Sequence, residues 1–436
     1  MSNEMVGLIG VGSLMLMIVL HIPIGVSMAI AGAVTFAFLR NWDAAFSVIG
    51  TEATSAIASP DLALIPLFIL MGNFAAGGGM ARDVYRLAFA FVGHLRGGLA
   101  MATIGGCAGF GAVSGSSIAT VTTMTKVAYP EMTQRGYSER LAGGSIAAGG
   151  TLGMLVPPSI IFVLYGILTE NFVLTLFTAA IVPAIIAVLM HFIAIQAYLR
   201  LSPESGRSAE RTSWSGRLHA LRGAWTVLLL AVVVAGGIYS GIFTVTESAA
   251  VGAVLSMAIA LFRGEMKMRS FWAALHDTAA TTAMIYVIVI GAGIFSYAMT
   301  LSLLPETLVN WIGGLPVPPL VIIAILMIFY IIMGAIFDTI SAMVLTLPFV
   351  YPVILQLGYD PIWWGVIMIM VIEIGMITPP IGINVLVMNA MLPGSSLGTI
   401  YRGIVPFLIA DLVRLVILIL IPALSLYLPT IMGMPR

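Results

Sequence analysis

The chain has 436 residues, 60% of them hydrophobic and 8% charged, with a mean hydropathy of +1.11 and no formal net charge. Soluble proteins carry about 25% charged residues, so this composition excludes a soluble globular protein and indicates an integral membrane protein, with no global field to draw a nucleic acid. Apolar runs near the ~20 residues needed to cross hydrocarbon recur from end to end and favour helical spans over a barrel's alternation, and the single Cys107 excludes an internal disulfide or a thiolate metal cluster.

The first apolar run has no basic stretch ahead of it and continues past Leu20, so it reads as an anchor and not as a cleaved signal. Residues 5–20 and 22–39 read as a tight helical pair, and residues 42–59 as an amphiphilic arm at the interface. Next comes "GAVSGSS" (111–117), with Arg82, Arg86 and Arg96 before it and Lys126, Arg135 and Arg140 after it. Both flanks are basic, hence cytoplasmic by the positive-inside rule, yet the interval is too short for two crossings of ~20 residues each. These facts predict a re-entrant hairpin over 97–126 with its tip at "GAVSGSS". Such non-helical backbone is tolerated at membrane depth only under cover of protein or a watery cavity.

Residues 138–168 hold "GMLVPPSI" (153–160), where two prolines remove helical donors and disfavour helix before them, predicting a break near Val156 and Pro157. The polar stretch 200–222 contains Arg200, Arg207, Arg211, Arg217 and Arg222 and reads as a cytoplasmic linker. Beyond it the pattern returns, with scaffold helices over 223–263, an arm over 268–278, a hairpin over 318–350 and a broken helix over 361–392 centred on "GMITPPIG" (375–382). Tyr129 and Tyr351, Gly136 and Gly358, and Pro157 and Pro379 are each 222 residues apart, which marks a duplication of 1–199 in 223–436. Arg263, Lys267 and Arg269 mark a cytoplasmic loop, whereas no Lys or Arg occurs between Arg269 and Arg402. The second hairpin therefore enters from outside, and the halves are inverted in topology. Tracing back puts the amino terminus outside, with Arg40 standing against the charge rule. The expected fold is an all-α polytopic membrane protein of two inverted-topology repeats with two re-entrant hairpins and two broken helices.

Unwound turns inside a membrane expose carbonyl oxygens that need a partner. Together with hydroxyls they form a hard-oxygen cage for a small cation, while half-helix N-termini favour an anion. In the repeat register Ser116 and Ser117 match Asp338 and Thr339 of "GAIFDTI" (334–340). Asp338 is the most telling intramembrane acid. For Glu373 the roles of cation ligand, proton carrier and packing residue stand open, Glu247 reads as a helix-start residue, and His21 and His191 read as structural residues on apolar faces. No deep arginine is evident to clamp a carboxylate.

Through "GAVSGSSIAT", "GTLGMLVPPSI", "GAIFDTIS" and "GMITPPIGINV" the chain resembles the large membrane subunit of the tripartite ATP-independent periplasmic (TRAP) transporters, over essentially its whole length. The resemblance implies an elevator-type carrier of ion-transporter-like fold in a bacterial inner membrane. It implies sodium-coupled uptake of a small organic acid (dicarboxylate, keto acid or sugar acid), delivered by a periplasmic binding protein, with a small four-helix membrane subunit as a separate chain. Carried over, the first sodium site comprises Ser114, Ser116, Gly153, Val156 and Pro158, and the second comprises Asp338, Thr339, Gly375, Thr378 and Pro380. Substrate is expected near Ser117, Asp338, Asn384 and Asn389. Na+ is the coupling ion and no organic cofactor is expected. Two sodium ions with a dianion move no net charge, so electrogenic uptake of a dicarboxylate needs a third cation. A proton-coupled symporter or exchanger of the same architecture is the alternative. An intramembrane serine hydrolase is a distant one, because no base is evident beside the serines.

Overall fold

The computed structural model describes residues 1–392 and 394–435, and all their regular structure is helical. Six of these helices are long and apolar enough to cross a membrane, or up to nine if each of three bent pairs is one span. Phe38, Ile193 and Phe262 are among the large apolar side chains left on the outside, as expected of surfaces that face lipid.

Asn3–Val19 and Ile24–Leu39 form the expected first pair. His21 sits exposed in the turn between them with φ +64°, not on an apolar helix face. The arm is the helix Trp42–Ala58, capped by the Asn41 side chain, and Ser59 with Pro60 ends it. The helices Leu64–Gly77 and Met80–Val92 follow, bent by 68° at Gly78 and Gly79, where Gly79 has φ +73°. Gly98–Ser114 and Ser117–Gln134 make the first hairpin, whose second arm runs past the expected end at 126. Glu139–Leu155 and Ile160–Thr169 make the first broken helix, bent by 41°.

In the second half, Pro319–Ile336 and Thr339–Gln356 form the other hairpin, again beyond its expected end at 350. Pro361–Gly375 and Ile383–Ala390 flank the break at residues 376–382. The scaffold segment 223–263 is less regular than expected. Trp225–Ala231 passes through a π-helical turn at Val232–Gly236 before the chain turns into Val245–Phe262.

The separate arm expected over 268–278 is instead the start of one continuous helix, Met268–Ser302. The cause is local. Ser59 and Pro60 stop the first arm, whereas "TAATTAM" (278–284) contains no proline or glycine to stop this one. The expected linker is also more than a tether. It carries the helix Trp214–Gly223, its Arg207 carbonyl accepts a bond from the Tyr137 hydroxyl, and the Ser138 amide donates to the Ser205 carbonyl at 3.0 Å. Arg217 is buried over the Trp214 and Phe91 rings.

The halves exchange packing partners. Ile24–Leu39 lies along Met268–Ser302 so closely that a Cβ on Gly32 would stand 2.7 Å from the Phe295 backbone. In turn Val245–Phe262 lies against Leu64–Gly77, with Gly252 under Met71. Small residues permit this approach in a medium that gives helices little other reason to associate. The Asn73 amide adds a hydrogen bond of 2.9 Å to Thr278 between the two halves.

Candidate functional site

The first hairpin turns because Gly115 takes φ +59°, a region that favours glycine, between Ser114 and the extended Ser116. Ser116 then caps the next helix, its Oγ accepting from the Ala119 amide at 3.3 Å. The Thr120 hydroxyl lies 2.8 Å from the Ser116 carbonyl and 3.1 Å from the Ser114 Oγ, so it joins both sides of the tip. A Cβ on Gly153 would fall 2.5 Å from the Thr120 hydroxyl and 2.8 Å from the Ser116 carbonyl, and one on Gly115 would fall 3.4 Å from the Pro158 carbonyl. Ser114, Ser116 and Gly153 thus meet around Thr120, a residue the sequence reading did not single out although it stands four positions from Ser116, and Pro158 lies beside Gly115 at the same tip. Val156 is the extended residue that ends Glu139–Leu155.

The second tip is built without glycine. Phe337 and Asp338 are both extended, and Asp338 Oδ2 accepts from the Ser341 amide at 3.2 Å, capping Thr339–Gln356. Asp338 is half-buried. The Thr339 hydroxyl donates to Glu373 Oε1 at 2.8 Å, and the Thr378 hydroxyl donates to the Ile374 carbonyl at 2.7 Å. A Cβ on Gly375 would meet Gly334 at 2.7 Å, as one on Gly111 of the first hairpin would meet Gly153 at 2.5 Å. Thr339, Gly375 and Thr378 therefore gather at the start of the break, while Pro380 lies exposed within it.

Of the residues expected near substrate, Ser117 and Asn384 meet directly, with Asn384 Nδ2 donating to Ser117 Oγ at 2.7 Å in a buried contact. No hydrogen bond joins Asp338 or Asn389 to that pair among the described residues. The cavity at the first tip has a volume of about 310 Å³ and is lined by Asn73, Ser114, Ser116, Asp277, Thr281 and Ile340. The tip there leans on Leu64–Gly77, whose Gly72 would put a Cβ 2.9 Å from the Ser114 Cα. A second cleft of about 570 Å³, with Glu52, Glu170, Ser296 and Tyr351 in its walls, opens further along the same long helix.

The structure also holds a deep arginine that the sequence reading did not anticipate. Arg414 is 2% exposed, 3.0 Å from Asp411, which in turn lies 2.9 Å from His191. An acid three residues earlier on the same helix provides the partner that lets an arginine be buried. His191 is thereby committed to Asp411, and the tip serines to Thr120, Ala119 and Asn384. Among the described residues no histidine is hydrogen-bonded to a tip serine.

Residues 11–424 match the family described as tripartite ATP-independent periplasmic transporter, DctM component. The chain is 39% identical to the C4-dicarboxylate TRAP transporter large permease protein DctM of Pseudomonas aeruginosa, covering 86% of this chain and 87% of that protein. It is 33% identical to the protein of the same name from Rhodobacter capsulatus, covering 99% and 100%. The ectoine TRAP transporter large permease protein TeaC of Halomonas elongata is 30% identical, covering 94% and 96%. Among solved structures, the Alcanivorax borkumensis YdaH transporter superposes with a TM-score of 0.56 at 16% identity, covering 86% and 88%, a likeness of fold alone.

Proposed function

Because the chain belongs to the DctM component family of tripartite ATP-independent periplasmic transporters, it is a multi-pass transporter permease and not an enzyme, and we propose that it drives sodium-coupled uptake of a small organic acid across a bacterial inner membrane. Large subunits of this family work with a small membrane subunit and a periplasmic binding protein, and on this reading the binding protein delivers the substrate. Two relatives named for C4-dicarboxylate transport support a dicarboxylate as the first substrate to test.

The observation that carries the proposal is the matched construction of the two tips. In each half a hairpin tip caps its second helix with an oxygen side chain, Ser116 or Asp338. In each half a glycine of the hairpin, Gly111 or Gly334, is pressed against a glycine of the proline break, Gly153 or Gly375. This correspondence supports inverted repeats. The first tip then supplies hydroxyls and carbonyls from Ser114, Ser116, Gly153, Val156 and Pro158 to one sodium ion, and the second supplies Asp338, Thr339, Gly375, Thr378 and Pro380 to another. Substrate binds beside Ser117, Asn384, Asn389 and Asp338.

In the elevator reading, hairpins and broken helices move as one body against the first helices of each half and the arm Trp42–Ala58. The two clefts along Met268–Ser302 support it, because each lies between that helix and the hairpins and broken helices. Each net positive charge carried inward draws about 2.3 kcal/mol per 100 mV from the membrane potential.

The test is uptake into proteoliposomes containing the chain, its small subunit and its binding protein, with a C4-dicarboxylate outside. Accumulation on an inward sodium gradient, absent in sodium-free buffer, is the expected result. Equal accumulation on a proton gradient alone would overturn sodium coupling and establish the proton-coupled alternative.

A further inference from the structure

Glu373 is buried, 2% exposed, in the helix before the second break. Among the described residues it forms no ion pair. The charges nearest it, from the neighbouring helix Leu397–Leu420, are Arg414 and Asp411, opposite in sign and paired with each other at 3.0 Å. An ionised carboxylate held this way needs a positive partner.

The hydrogen bonds around it leave buried oxygens to spare. Thr339 donates to Glu373 Oε1 at 2.8 Å, and the Ser117 hydroxyl also interacts with this carboxylate. Ser117 Oγ in turn accepts from Asn384 Nδ2 at 2.7 Å. The atoms left over are Glu373 Oε2 and Asn384 Oδ1, both buried, both acceptors and both without a partner. Four hard-oxygen side chains therefore converge from the first tip (Ser117), the second tip (Thr339) and both sides of the break (Glu373 and Asn384).

We infer that Glu373, with Ser117 and Asn384, holds a further sodium ion beside those at the two tips. The inference rests on the sodium-coupled reading above. An ion there ties the first hairpin to both halves of the second broken helix, and Thr339 joins the second hairpin through Glu373, so the moving body is complete only when it is loaded. It also supplies the third positive charge that makes uptake of a dianion electrogenic.

The test is equilibrium binding of radioactive sodium to the full-length chain in nanodiscs, for wild type, Glu373→Gln, Asn384→Leu and the double variant Ser114→Ala, Ser116→Ala. Folding of each is checked by size exclusion and thermal melting in choline buffer. Either Glu373→Gln or Asn384→Leu, whichever folds, should bind one sodium ion fewer per chain than wild type. Combining it with the double serine variant should remove a further ion. Unchanged stoichiometry in the folded Glu373→Gln protein overturns the extra site while leaving tip-bound sodium intact, and altered proton release with unchanged sodium binding does the same by assigning Glu373 to a proton. A wild-type chain that binds no sodium overturns the inference together with the sodium reading on which it rests.

Discussion

Asp338 combines two duties that different substitutions separate. Its carboxylate caps a helix, and on the proposed reading it also faces a sodium ion. Asparagine caps helices about as well as aspartate, whereas alanine costs ~1 kcal/mol. Asp338→Asn should therefore melt within a few degrees of wild type while the sodium concentration for half-maximal uptake rises about tenfold, a loss of ~1.4 kcal/mol. Asp338→Ala should lose both stability and sodium affinity. Unchanged sodium activation in the asparagine variant would restrict Asp338 to its cap. Other single-residue roles were legible in different degrees. Glu247 was readable as a helix-start residue because its partner Thr244 is only three positions away, and the two form a reciprocal cap. The partners of Glu373 and Arg414 were not readable in full. Thr339 and Ser117 reach Glu373 across the fold, and neither contact leaves a local spacing to detect.

The hairpins and broken helices were the elements most visible in the sequence, since prolines, glycines and basic flanks act locally and recur 222 residues apart. What lay between them was less visible. Nothing in an unbroken apolar run distinguishes an arm from the first turns of a long helix, which is why Met268–Ser302 was expected to be divided. The bend at Gly78 and Gly79 and the buried Arg414 went unforeseen, the first because three glycines in an apolar run read equally as helix packing, the second because its acid partner was not connected to it. The opposed entry of the hairpins is a prediction at this scale. Single cysteines replacing Arg135, at the end of the first hairpin, and Glu306, in the helix Leu304–Gly313 ahead of the second, should react with an impermeant maleimide from opposite faces of the membrane. Reaction from the same face would remove the inverted arrangement and the positive-inside argument behind it.

For the whole molecule, the exchange of packing partners between the halves defines a frame in which Ile24–Leu39 holds Met268–Ser302 and Leu64–Gly77 holds Val245–Phe262. The cavity at the first tip lies between this frame and the hairpin, with Ala119 in its wall on the hairpin side. Asp277, in the opposite wall, is only a few turns from the basic stretch 263–269, so this cavity faces the cytoplasm on the proposed topology. The native Cys107 is buried and free, and its replacement by alanine leaves a background for a single reporter. Ala119→Cys in that background tests alternating access directly, with an impermeant maleimide applied to each face of oriented membrane vesicles, with and without sodium and the loaded binding protein. Alternating access should give labelling from the cytoplasmic face in one condition and from the opposite face in the other. Labelling from one face alone, whatever the sodium gradient or substrate supplied, would contradict it.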